Sequence, residues 1–182
     1  MSFETKHLIR WGIPGWTFLG ALAIYFYIKE SALNSTFSIS QIPAFMFTAI
    51  FVGVGIILGH LIHQVSMFFG FILIRKWYIY FEDEFKFDQR IMKSQDGDGP
   101  ELLRIYRYRL GNVHALRSLF ISLLLALATI IYCSKILYFS ALVLLLIVIL
   151  SCLATITFVN YIYFTKNLEF FLKKINEGNN GQ

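Results

Sequence analysis

His60, His63 and Gln64 are the side chains whose types and spacing are best suited to chemistry. They stand at i, i+3 and i+4 within an apolar run, so on a helix they face one way. Imidazole carries protons near neutral pH and ligates metals. Polar groups inside a bilayer are costly and often functional. The competing reading is structural. A crossing of about 20 residues that starts near Ile42 brings His60 to the inner interface, where it meets water or hydrogen-bonds a neighbouring helix. No Cys, Asp or Glu stands close by in sequence to complete a ligand set. The expectation is polar intramembrane packing, with no metal and no cofactor.

The second candidate cluster is Glu101 to Arg117, ELLRIYRYRLGNVHALR. On a helix, Arg104, Arg107, Gly111 and His114 share one stripe, and Arg109 and Arg117 point elsewhere. Arg109 and His114 loosely match the Arg-x4–6-His pattern of HEPN ribonucleases, which use such a pair on a scissile phosphate. Leu110 replaces the polar residue that usually follows that arginine, and five helical positions leave Arg109 and His114 about 140° out of phase. The ordinary reading is a basic, aromatic helix that meets lipid phosphates or a protein partner. Its candidate binding residues are Arg104, Tyr106, Arg107, Tyr108, His114 and Arg117. Glu82, Asp83, Glu84 and Asp88 lack the ordered spacing and central glycine of a calcium loop. No phosphate loop, dinucleotide fingerprint, nucleophile elbow or HExxH is present. No catalytic residue is therefore assigned, and the chain is expected not to be an enzyme.

The elements that must position these residues are membrane helices. Of 182 residues, 57% are hydrophobic and 15% charged, against about 25% charged in soluble domains. Length alone leads to one unit. Cys133 and Cys152 lie in apolar runs and form neither a disulfide framework nor a zinc pattern. Four spans are expected: 11–28, 43–74, 118–134 and 136–165. Pro14 is placed in the first turn of the first span, which is taken as uncleaved. Ile42 to Ile74 carries no Asp, Glu, Lys or Arg. Along it Thr48, Gly55, Gly59, Ser66 and Gly70 recur at spacings of 7, 4, 7 and 4 and fall on one helical stripe. Small residues on a stripe let a second backbone approach, so these five are expected at a helix–helix contact within an assembly. Segment 77–88, WYIYFEDEFKFD, reads as an interfacial helix end or a short hairpin. The tail 166–176 reads as a short amphipathic piece, with Leu168, Phe171, Leu172 and Ile175 on its apolar side.

Orientation follows from the basic residues. Of 16 Lys and Arg, the head, segment 75–117 and the tail 166–182 hold all but Lys29 and Lys135. The positive-inside rule places both termini and segment 75–117 in the cytoplasm. The net charge of +5 then reports topology and contact with anionic lipid, and direct nucleic-acid binding is not expected.

Four spans, small external loops and a mixed-charge cytoplasmic segment from Arg75 to Arg117 resemble the small four-helix membrane subunits of bacterial anti-phage systems, the Kiwa membrane subunit type above all. Membrane accessory proteins of some CRISPR systems share the plan. The resemblance implies a homo-oligomer in the bacterial inner membrane that engages a cytosolic protein partner, as a sensor or scaffold without enzymatic activity. The alternative function is an oligomeric pore or ion pathway, with the His60, His63 and Gln64 face lining an opening. A pore lining needs a polar stripe along most of a span, and this one covers about two turns.

Overall fold

The computed structural model describes residues 3–33, 44–70, 81–82, 85–89 and 99–178. Helix dominates them, and no strand occurs among the described residues. Four long helices follow in order: α1 (Phe3–Leu33), α2 (Ala44–Met67), α3 (Gly99–Ile136) and α4 (Ala141–Gly178). A π-helical turn over 68–70 extends α2, and a separate helical turn covers 85–89. That turn favours the helical reading of 77–88 at the positions described. Residues 1–2, 34–43, 71–80, 83–84, 90–98 and 179–182 lie outside the described residues.

Three stretches are long and apolar enough to cross a membrane: Thr48–Gly70, Gly99–Ile136 and Ala141–Ile175. The first expected span is not among them. Pro14, Gly15, Trp16 and Thr17 dilute the apolar residues of α1. Only 17% of the apolar window of α2 and 22% of that of α4 is buried within the chain. Phe45, Ile57 and Leu142 stand outward with their side chains exposed. Such continuous apolar surface suits lipid and not water.

Several boundaries differ from the sequence reading. α1 begins at Phe3, so Pro14 lies inside the helix and not in its first turn. Ile136 closes α3, and the turn runs over 137–140. Ser140 sets the start of α4: its hydroxyl accepts from the Val143 amide at 3.3 Å, as an N-cap does. The tail is no separate piece. Lys, Glu and Leu are good helix formers, and α4 continues through Thr165 and Lys166 to Gly178. At 1.5 Å per residue, α3 and α4 are each about 57 Å long, well beyond the roughly 30 Å of a bilayer core.

The chain divides into two compact units. Unit 1 comprises Met1–Ser66 and Ser118–Thr157. Its core stacks Ala21 and Tyr25 of α1, Leu123, Ala126 and Ile130 of α3, and Val143, Leu146, Leu150 and Ala154 of α4. The spacings of 3 and 4 put each set on one helix face. The Tyr25 hydroxyl donates to the Tyr138 carbonyl at 3.1 Å, which ties α1 to the α3–α4 turn. Unit 2 comprises Met67–Arg117 and Phe158–Gln182. Its core joins Phe87, Tyr106, Val113 and Leu168, with Leu110, Phe164, Phe171 and Ile175 packed against them. The Phe87 and Tyr106 rings pack at a tilt of 42°, with centroids 4.4 Å apart.

Candidate functional site

In unit 1 the α2 stripe receives α1. A methyl group on Gly15 would collide with the Gly55 carbonyl oxygen and the Gly59 nitrogen, so only glycine allows this approach. The Trp16 indole lies against Gly55 and donates to the Val52 carbonyl at 3.3 Å. Gly55, Gly59 and Ser66 are buried and Thr48 is exposed. The middle of the stripe is thus filled by another helix of the same chain.

The polar set of α2 is divided. His63 and Ser66 turn to α3, where His63 Nδ1 lies 2.8 Å from Ser118 Oγ and Ser66 Oγ lies 3.0 Å from it. The Ser66 hydroxyl donates to the His63 carbonyl at 2.8 Å. These three bonds can be made together in one direction only. Ser66 spends its proton on a carbonyl, so Ser118 donates to Ser66 and His63 Nδ1–H donates to Ser118. The imidazole is then a donor toward Ser118, the reverse of a base that activates a serine. Ser66 and Ser118 are 0% and 2% exposed, so this is a buried clamp between α2 and α3. His60 and Gln64 stay on α2, half-buried and exposed, with their Nε2 atoms 3.5 Å apart. The structure does not bring His60 and His63 to a common point.

Ser118 was not legible as a partner, although a signal existed. Gly111, Ser118, Ser122 and Thr129 repeat at 7, 4 and 7 on α3, the same spacing as on α2. Ser122 is also buried, and its hydroxyl donates to the Pro14 carbonyl.

Unit 2 places the second cluster. Arg117 is 7% exposed, and its Nη2 reaches Met67 Sδ at 2.7 Å and His114 Nδ1 at 3.0 Å. Guanidinium only donates, so His114 Nδ1 is the acceptor. Gly70 makes the room, since a methyl group there would occupy the position of the Arg117 guanidinium. Arg109 is committed to Asn167 and lies 4.6 Å over the Phe171 ring. Arg109 and His114 therefore serve different partners, and the ribonuclease pairing finds no geometric support. Asn167, Phe171 and Met67 are partners that sequence spacing did not indicate.

The expected binding residues fall on two sides of α3. Tyr106 is 6% exposed, because its helix face, shared with Leu110 and Val113, packs into the unit 2 core. Tyr106 and Arg117 are thus buried within unit 2. Arg104, Arg107 and Tyr108 stay exposed on the opposite face, and Tyr108 is 71% exposed. Arg104 grips Glu101 through two nitrogens at 2.7 and 2.6 Å. That hydrogen bond, and then the guanidinium charge, hold the Glu101 carboxyl below its ordinary value. Glu82 is bridged by Lys86 at 2.7 Å.

The described residues are helical throughout their long elements, and three of the helices have the length and composition of membrane spans, which suggests a multi-pass membrane protein. No family model, no curated protein and no solved structure matches the chain.

Proposed function

We propose that this chain is a non-enzymatic subunit of the bacterial cytoplasmic membrane that assembles with itself and holds a cytosolic protein partner, in the manner of the anti-phage membrane subunits it resembles. α1 is the fourth span, and both termini and segment 75–117 face the cytoplasm. The observation that carries the reading is the two-sided helix at 101–113. Tyr106, Leu110 and Val113 lock one face into a core, which leaves Arg104, Arg107 and Tyr108 exposed on a supported face. Arg and Tyr are the residues that protein interfaces enrich. α1 occupies Gly55 and Gly59, so a second copy docks on the outward apolar faces of α2 and α4.

The pore alternative is less favoured, because His63 is taken up by the α2–α3 clamp. A pull-down from native membranes tests the choice. The wild type is expected to recover a stoichiometric cytosolic protein, and Arg107→Ala with Tyr108→Ala to lose it at unchanged membrane abundance. Both residues are exposed, so the fold is spared. Ion flux through the purified protein in liposomes is expected to stay at background. Retained partner in the double variant, or flux well above background, would reverse the assignment.

A further inference from the structure

Within unit 2, the later part of α4 has a second face that the core does not use. Phe164, Leu168, Phe171, Leu172 and Ile175 pack inward. Tyr163, Lys166, Phe170, Lys173 and Lys174 follow at i, i+3, i+7, i+10 and i+11, on the opposite side. All five are exposed, and the two aromatic residues are 61% and 62% so. Lys174 Nζ lies 5.9 Å from the centroid of the Phe170 ring. Phe170 is thus an outward apolar ring with lysines one turn to either side. Glu169 is the only acid from 166 to 174, so the segment is net positive.

We infer that this face binds anionic lipid headgroups of the leaflet from which α4 emerges. Phe170 seats at headgroup level, and Lys166, Lys173 and Lys174 engage phosphates. Lipid is favoured over an acidic protein by distance. Lys166 is the first charge after the apolar run 136–165, and Phe170 stands about 6 Å further along the axis. The headgroup layer is roughly 5–8 Å deep on each side. Lysine stems reach back toward the interface, so Lys173 and Lys174 also meet phosphates. This site is separate from the Arg107–Tyr108 face and rests on the reading that α4 spans the bilayer.

The test uses the full-length protein in zwitterionic detergent, with bound lipid counted by native mass spectrometry during titration with phosphatidylglycerol or phosphatidylcholine. Phosphatidylglycerol is expected to bind preferentially, and to weaken about five-fold for each lysine changed in K166Q, K173Q and K174Q. Phe170→Ser is expected to weaken it as well, with helical content unchanged. Three outcomes overturn the proposal: equal phosphatidylglycerol affinity in the triple lysine variant, a loss that follows R104Q with R107Q instead, or competition by poly-glutamate as strong as by lipid. Release of the protein from membranes by alkaline carbonate would overturn the spanning reading and this site with it. Indifference to phosphatidylglycerol in a carbonate-resistant protein would overturn the site alone.

Discussion

Gly15→Leu is expected to cost roughly 3 kcal/mol, the upper end for overpacking a close contact. The obstacle is backbone: the Gly55 carbonyl and the Gly59 nitrogen stand where the new Cβ would go. A flexible side chain could step aside, whereas two helix backbones must move apart. Separation would also break the Trp16 bond to the Val52 carbonyl. Between membrane helices, apolar area supplies little drive for association, so close packing carries the contact. Gly20→Leu on the same helix is the control, because nothing lies within 4 Å of a Cβ there. Thermal unfolding in detergent is expected to show a clearly lower midpoint for Gly15→Leu and little change for Gly20→Leu. Equal midpoints would mean that α1 does not pack on α2 through Gly15.

Ser118→Ala is expected to cost about 1–2 kcal/mol, since it takes a partner from the half-buried His63 ring and from the buried Ser66 oxygen. Interhelical bonds in membrane proteins average less, near 0.6 kcal/mol. The near-complete burial of Ser66 and Ser118 argues for the higher figure. The sharper expectation concerns the triple variant His63→Leu, Ser66→Ala, Ser118→Ala. Removing the bonded groups together strands fewer of them than the three single changes do, so the triple is expected to lose less than the sum of the three single losses. Denaturant or thermal midpoints of the singles and the triple decide it. A triple loss equal to the sum of the three single losses would mean that the bonds act independently and form no closed clamp.

Helical class and the long apolar runs were legible because they depend on composition and period. The stripe Gly55, Gly59 and Ser66 was legible for the same reason. Its occupant was not. Gly15 lies 40 positions away in sequence, and nothing local in α2 distinguishes another copy from another helix of the same chain. His63 likewise showed as a polar group, while its partner Ser118 depends on the register of α2 against α3.

At 106–108 the sequence shows aromatic and basic residues together. Which tyrosine is buried is decided by Phe87 and Leu168, neither of them adjacent in the chain. Thr165 was taken as the end of the last span because charges begin at Lys166. Charge does not stop a helix, and Leu168, Phe171 and Ile175 carry α4 onward by packing within unit 2.

The central claim is that α3 and α4 carry the chain from the bilayer into the cytosol, with their shared turn outside. Cysteine labelling tests it most directly, in a background with Cys133→Ala and Cys152→Ala. Tyr108→Cys and Phe139→Cys use positions that are 71% and 61% exposed. A membrane-impermeant maleimide is expected to label Phe139→Cys in intact spheroplasts and Tyr108→Cys only after permeabilisation. Labelling of Tyr108→Cys in intact spheroplasts would contradict it.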